Sequence, residues 1–118
     1  MDICFEGIGQ MVATFAAKEE LDPGMAVTVT GSGEVGLGEK NGGPLCGVTV
    51  GAERNGAVAV QIGGVAKVGY SGDSDPEMGW QELACDGEGR VKTADESGGM
   101  KCLVLAADKG EKTVVVKL

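Results

Sequence analysis

The chain has 118 residues, 42% of them hydrophobic, with 22 glycines, no histidine and a formal net charge of −8. That length suits one domain with its own core, and scarce aromatics beside plentiful valine and alanine call for a core of small and β-branched side chains, which favours strands. The charge excludes a nucleic-acid binder, which needs clustered Lys and Arg to replace the counterions on phosphate, and no apolar run approaches the roughly twenty residues of a membrane-spanning helix.

In chain order, residues 1–6 form a leader, Met-Asp-Ile-Cys-Phe-Glu, without the basic start and apolar run of a signal peptide, so the chain reads as made inside the cell. A first strand is expected over 10–16. Residues 16–21 offer helix formers, but Asp22-Pro23-Gly24 ends that run at once, and no helix is expected. A hairpin then joins 25–30 to 34–37 through Gly31-Ser32-Gly33, glycine supplying the positive φ of a tight turn. A second hairpin joins 45–50 to 56–62, where Asn55-Gly56 is a strong turn signal. A strand at 65–70 follows, then a hairpin from 81–85 to 90–93 across Asp86-Gly87-Glu88-Gly89, and a last hairpin turns at Asp108-Lys109-Gly110 into 113–118. Apolar residues alternate with period two: Val58, Val60 and Ile62 share one face, as do Val114, Val116 and Leu118.

An internal repeat organises these elements. Residues 25–62 align without a gap on 81–118 at an offset of 56, with identities at Gly31/Gly87, Gly33/Gly89, Val35/Val91, Gly42/Gly98, Gly43/Gly99, Cys46/Cys102, Val48/Val104, Val58/Val114 and Val60/Val116. Extended backward at that offset, the copies become 7–62 and 63–118, although in the added part only Gly7/Gly63 and Val12/Val68 are identical. Repeats this short do not usually bury an apolar face alone, so the copies are expected to close around one shared core holding Val58, Val60, Val114 and Val116. The expected fold is all-β, a single domain over 1–118: a small β-barrel or β-clip-like fold from two pseudo-symmetric repeats, with a β-sandwich as the alternative. Ten short strands leave edges to be managed by closure or by pairing between subunits, so oligomerisation is expected.

Catalytic chemistry finds little footing. Histidine, the commonest general base and metal ligand, is missing, and no nucleophile elbow, phosphate loop or dinucleotide fingerprint occurs, so no enzymatic activity and no cofactor are expected. Cys46, Cys85 and Cys102 fall on inward positions and read as reduced core residues, with no Cys-x-x-Cys to suggest zinc; Cys4 cannot be placed. Eight acids stand between residues 71 and 99 against Arg90 and Lys92. Three of them, Asp73, Asp75 and Glu77, alternate in one loop and could surround a calcium ion, but the loop lacks the glycine and distant bidentate glutamate of a calcium site, so a solvated connector is expected and no metal. Trp80 closes that connector, either as a plug at the barrel end or as an interface anchor, and Tyr70 is the other candidate interface aromatic.

The chain resembles the small capsid decoration, or cement, proteins of tailed bacteriophages, particularly prophage-borne ones of gut Firmicutes. The resemblance lies in Phe5-Glu-Gly-Ile-Gly, Asp22-Pro-Gly-Met-Ala-Val, Cys46-Gly-Val, Val58-Ala-Val-Gln-Ile-Gly-Gly, Val68-Gly-Tyr-Ser-Gly, Gly79-Trp-Gln-Glu-Leu and the closing valine strand. These are structural strings and carry no functional residues over. What the resemblance implies is a non-enzymatic virion protein, made in the bacterial cytoplasm and then bound to the capsid surface. It would be a homo-oligomer, most simply a trimer, whose partner is the major capsid protein. From another class, a soluble ligand- or carbohydrate-binding β-barrel is the alternative; it needs exposed aromatic platforms, for which only Trp80 and Tyr70 are available.

Overall fold

A computed structural model describes residues 10–38, 43–72, 76–94 and 99–118, so Cys4, Asp73 and Asp75 lie outside the described residues. The described chain is all-β: β1 (Met11–Ala17), β2 (Ala26–Gly31), β3 (Glu34–Gly36), β4 (Gly47–Thr49), β5 (Ala57–Gly63), β6 (Val65–Gly69), β7 (Gly79–Cys85), β8 (Val91–Thr93), β9 (Met100–Asp108) and β10 (Thr113–Lys117). The expected hairpins all form, β2–β3, β4–β5, β7–β8 and β9–β10 each pairing antiparallel. At the β4–β5 turn, Arg54 and Ala57 exchange backbone hydrogen bonds of 2.8 and 3.0 Å. Asn55 (φ 53°) and Gly56 (φ 81°) both take the left-handed conformation between them. Two successive positive φ values define the hairpin turn for which Asn-Gly is the preferred pair.

The two halves share one connectivity. Strands β1-β3-β2-β4-β5 form a closed barrel, and the second sheet runs β6-β10-β9-β7-β8. Opening the first ring between β1 and β3 and reading it round from β1 gives β1-β5-β4-β2-β3, which matches the second sheet strand for strand. The opened seam also has its counterpart. Strands β1 and β3 pair in parallel through Ala16↔Glu34 and Ala17↔Val35, and β6 approaches β8 in a parallel bridge between Tyr70 and Val91. The second sheet thus repeats the strand order of the barrel but stays an open sheet, its edges touching at this one bridge.

These pairings correct the alignment of the first strands. Val35 and Val91 are 56 apart, but the residues they meet, Ala17 and Tyr70, are 53 apart. Two further hydrogen bonds repeat with the same mixed spacing: Lys18 N–H to Val35 O (2.9 Å) matches Ser71 N–H to Val91 O (2.8 Å), and Ala17 N–H to Gly56 O (2.8 Å) matches Tyr70 N–H to Lys112 O (2.9 Å). At an offset of 53 the sequence agrees, placing Val12-Ala13 on Val65-Ala66 and Asp22-Pro23-Gly24-Met25 on Asp75-Pro76-Glu77-Met78. Ala26 and Gly79 pair with the repeat valine, Val48 or Val104, and next in the ladder Val27 opposite Gly47 is matched by Trp80 opposite Leu103, again 53 apart. From Thr28 opposite Gly36 and Ala84 opposite Lys92 the spacing is 56, so residues 81–83 are the three without a counterpart in the ladder, and Leu83 takes the core place that Val27 holds in the first copy.

The expected single core is two. Leu21, Val27, Val35, Val58 and Val60 fill the first barrel. Val114 and Val116 belong instead to a larger cluster with Ala66, Val68, Tyr70, Leu83, Cys85, Val91, Cys102 and Val104, completed by Ala26, Leu45 and Val48 from the first copy. The reason lies in the pleat: on β2, Val27 faces into its own barrel and Ala26 faces out, and Ala26 pairs with Val48, so this wall offers an apolar face to each side. Backbone contacts fix the junction, with Ala26 N–H donating to Gly89 O (2.9 Å) and Cys85 N–H to Gly43 O (3.1 Å). Val104 reaches the same cluster from inside its own sheet because a register shift between Val115 and Val116 sets it opposite Val116; its counterpart Val48 sits opposite Gln61.

Candidate interaction surface

Strand β7 alternates in its first half, with Trp80 and Glu82 exposed and Gln81 half-buried between them, and then runs into the buried Leu83, Ala84 and Cys85. Trp80 is 59% exposed, which excludes the reading of it as a core plug. Tyr70 is 0% exposed, which corrects its place among the interface candidates: its ring closes the second core at the seam, where its counterpart in the first copy is the small Ala17.

Opposite residues of antiparallel neighbours project to the same side, so register gives the surroundings of Trp80. It stands opposite Leu103, Leu103 opposite Lys117, and Lys117 opposite Val65, forming a row across four strands of the second sheet's outer wall. Leu103 and Val65 are half-buried in the row and Lys117 is exposed. In the next row Glu82 faces Lys101, whose ammonium lies 5.9 Å from the centroid of the Trp80 ring. Further along the wall, Lys67 pairs with Glu111 at 3.5 Å, both exposed. Lys67, Lys101 and Lys117 thus stand on this wall beside Glu82, Glu111 and Asp108, the last opposite Thr113, in a chain whose net charge is −8.

Other large apolar side chains lie in water as well: Met11 and Val12 at the start of β1, Val29 on β2, Val50 after β4, and Met78 just before β7. Sequence reasoning named none of these. The signal for Trp80 was nonetheless available, since the alternation that sends Leu83 and Cys85 inward sends residue 80 outward.

The thiols are reduced, with Cys85 and Cys102 buried and Cys46 half-buried. Burial, followed by the neighbouring Asp86 and Cys46, pushes the Cys85 thiol up to about 12. Burial alone pushes Cys102 up to about 11, and it raises Cys46 as well. Such thiols are neutral and inert at ordinary pH. Among the described residues no three His, Cys, Asp or Glu side chains gather as metal ligands, and Glu77 of the acidic connector is exposed.

Asp86 sits in a polar cradle of its own. Partial burial by itself would raise its pKa, but the Ser71 hydroxyl (2.7 Å), the Glu88 and Arg90 amides (2.8 and 3.1 Å) and the Arg90 charge outweigh that and hold it below the usual value. Its position on the β7–β8 turn, bonded to the residue after Tyr70, makes it a latch across the seam. No known family model matches the chain, and no similar sequence is found among curated proteins.

Proposed function

We propose that the chain is a non-enzymatic decoration protein of a phage or prophage head, binding the outer surface of the assembled shell and bracing its major capsid subunits. The observation that carries this reading is Trp80, 59% exposed on the outer wall of the second sheet, with the methionines Met11 and Met78 also held in water. The first barrel satisfies its strand edges by closure and the second sheet brings its β6 and β8 edges together at one bridge, so contact with a partner falls mainly to side chains on the walls. Aromatic and methionine side chains are the types enriched where proteins adhere. The sequence resemblance supplies the partner. Self-association, expected above from open edges, draws its support instead from these exposed side chains, and a trimer remains the proposed form.

Many modest contacts suffice on a lattice, because each becomes effectively intramolecular once a neighbouring one has formed. Binding the assembled form and not its parts stabilises the shell by mass action. Co-sedimentation with expanded heads of the cognate phage, beside isolated capsid subunits, tests this. The chain should pellet with heads, bind free subunits far more weakly and raise the temperature at which heads disrupt. A chain that stays in the supernatant and leaves that temperature unchanged contradicts the reading and favours the ligand-binding barrel.

A further inference from the structure

We infer that the outer wall of the second sheet, centred on Trp80, is the face that meets the shell, and that it receives a protein segment presenting a carboxylate beside an apolar side chain. This rests on the decoration reading and adds which surface does the binding and what it binds.

Three observations converge on it. The core does not use Trp80. In the ladder it stands opposite Leu103 as Val27, buried in the first barrel, stands opposite Gly47, yet its indole is 59% exposed and Leu83 fills the second core instead. Next, the ring is not isolated. The row Trp80–Leu103–Lys117–Val65 gives it a flank of half-buried Leu103 and Val65, with the aliphatic stem of Lys117 between them. Finally, the charge beside the ring is less acidic than the molecule as a whole. Lys101 sits over the ring with Glu82 opposite it, and Lys117 stands within the row, in a chain of net charge −8. A cation held at the ring face fixes the indole plane and leaves positive charge at the patch edge. An incoming carboxylate can meet Lys101 or Lys117 while its apolar neighbour covers the indole. The cover excludes water and strengthens the ionic contact, as at the centre of a protein interface.

The direct test uses the unaltered chain. Hydroxyl-radical footprinting, read by mass spectrometry on the peptide that carries Trp80, compares free protein with protein bound to heads. The expected result is oxidation of Trp80 that falls severalfold on heads, while Val29, on the first barrel, changes little. Affinity measured by co-sedimentation should drop on the order of tenfold or more in Trp80→Ala and in the double charge reversal Lys101→Glu/Lys117→Glu, and Val29→Ser should bind as the unaltered chain does. Protein that binds heads with Trp80 still freely oxidised, or variants that bind undiminished, overturns the inference and leaves the decoration reading standing. Concentration-dependent protection of Trp80 without heads, with variants that lose self-association and keep head binding, overturns it in favour of a second copy as occupant. Failure of the unaltered chain to bind heads overturns both.

Discussion

Gly47 lies where β4 crosses β5, and a Cβ there would overlap the Gln61 carbonyl oxygen and come within 2.8 Å of Val60 Cγ1. Backbone cannot give way as a flexible side chain can, so Gly47→Ala should destabilise the protein by about 1–3 kcal/mol, measured as a lower denaturant midpoint at unchanged slope. The repeat glycines have equally local reasons: Gly33 and Gly89 hold positive φ (68° and 89°), and at Gly99 a Cβ would stand 2.9 Å from Leu83 backbone atoms. Buried cysteines make a pH-dependent prediction. Cys85 is raised from 9.0 to about 12 and Cys102 to about 11, so between those values and 9.0 the unfolded chain releases thiol protons that the folded one retains. Their contribution to stability is therefore complete below about pH 9 and is lost as pH rises toward 12. Replacing both by alanine should flatten that alkaline decline in urea titrations at successive pH values; an unchanged decline would show that the thiols ionise alike in both states. The inward placing of Cys85 and Cys102 was legible from alternation alone, as was the outward placing of Trp80. The burial of Tyr70 follows from the same rule applied to Ala66 and Val68, and it went unread because an aromatic near a loop suggests a partner.

At the scale of elements, the seam of the second sheet is the weak point. The first barrel closes there through two register pairs. The second relies on the Tyr70–Val91 bridge, Ser71 N–H to Val91 O (2.8 Å), and the Ser71 hydroxyl on Asp86 (2.7 Å). Because the Asp86 pKa is held below 3.8, the carboxylate's contribution is present at neutral pH and lost as pH falls through the folded value. Asp86→Asn should lower stability at pH 7 and speed amide exchange at Ser71, with a stability difference from the unaltered chain that shrinks in acid. Equal exchange in the two proteins would show that the latch does not hold the seam. Strand existence and hairpin pairing were readable because glycine turns and period-two valines mark them. The offset was misread for the first strand because identities cluster after residue 25 and outvoted the recurrence of Asp-Pro-x-Met at 22–25 and 75–78. Only the ladder placed the three extra residues inside β7, since an insertion within a strand leaves no turn signal.

For the whole molecule, duplication gives two β modules with separate interiors, joined where Ala26, Leu45 and Val48 enter the second core. One shared core was the natural expectation from a repeat; the two-sided wall of β2 and β4 makes two, since its outward residues are as apolar as its inward ones. A barrel and a sheet with apolar side chains on their walls suit a protein that adheres by shape and avidity. The most direct test of that role is a cryo-electron microscopy reconstruction of expanded cognate heads incubated with the purified chain. The account predicts added density at regular positions on the outer surface, spanning boundaries between capsid subunits, with the Trp80 wall turned toward the shell. Heads whose reconstruction is the same with and without the protein would contradict it.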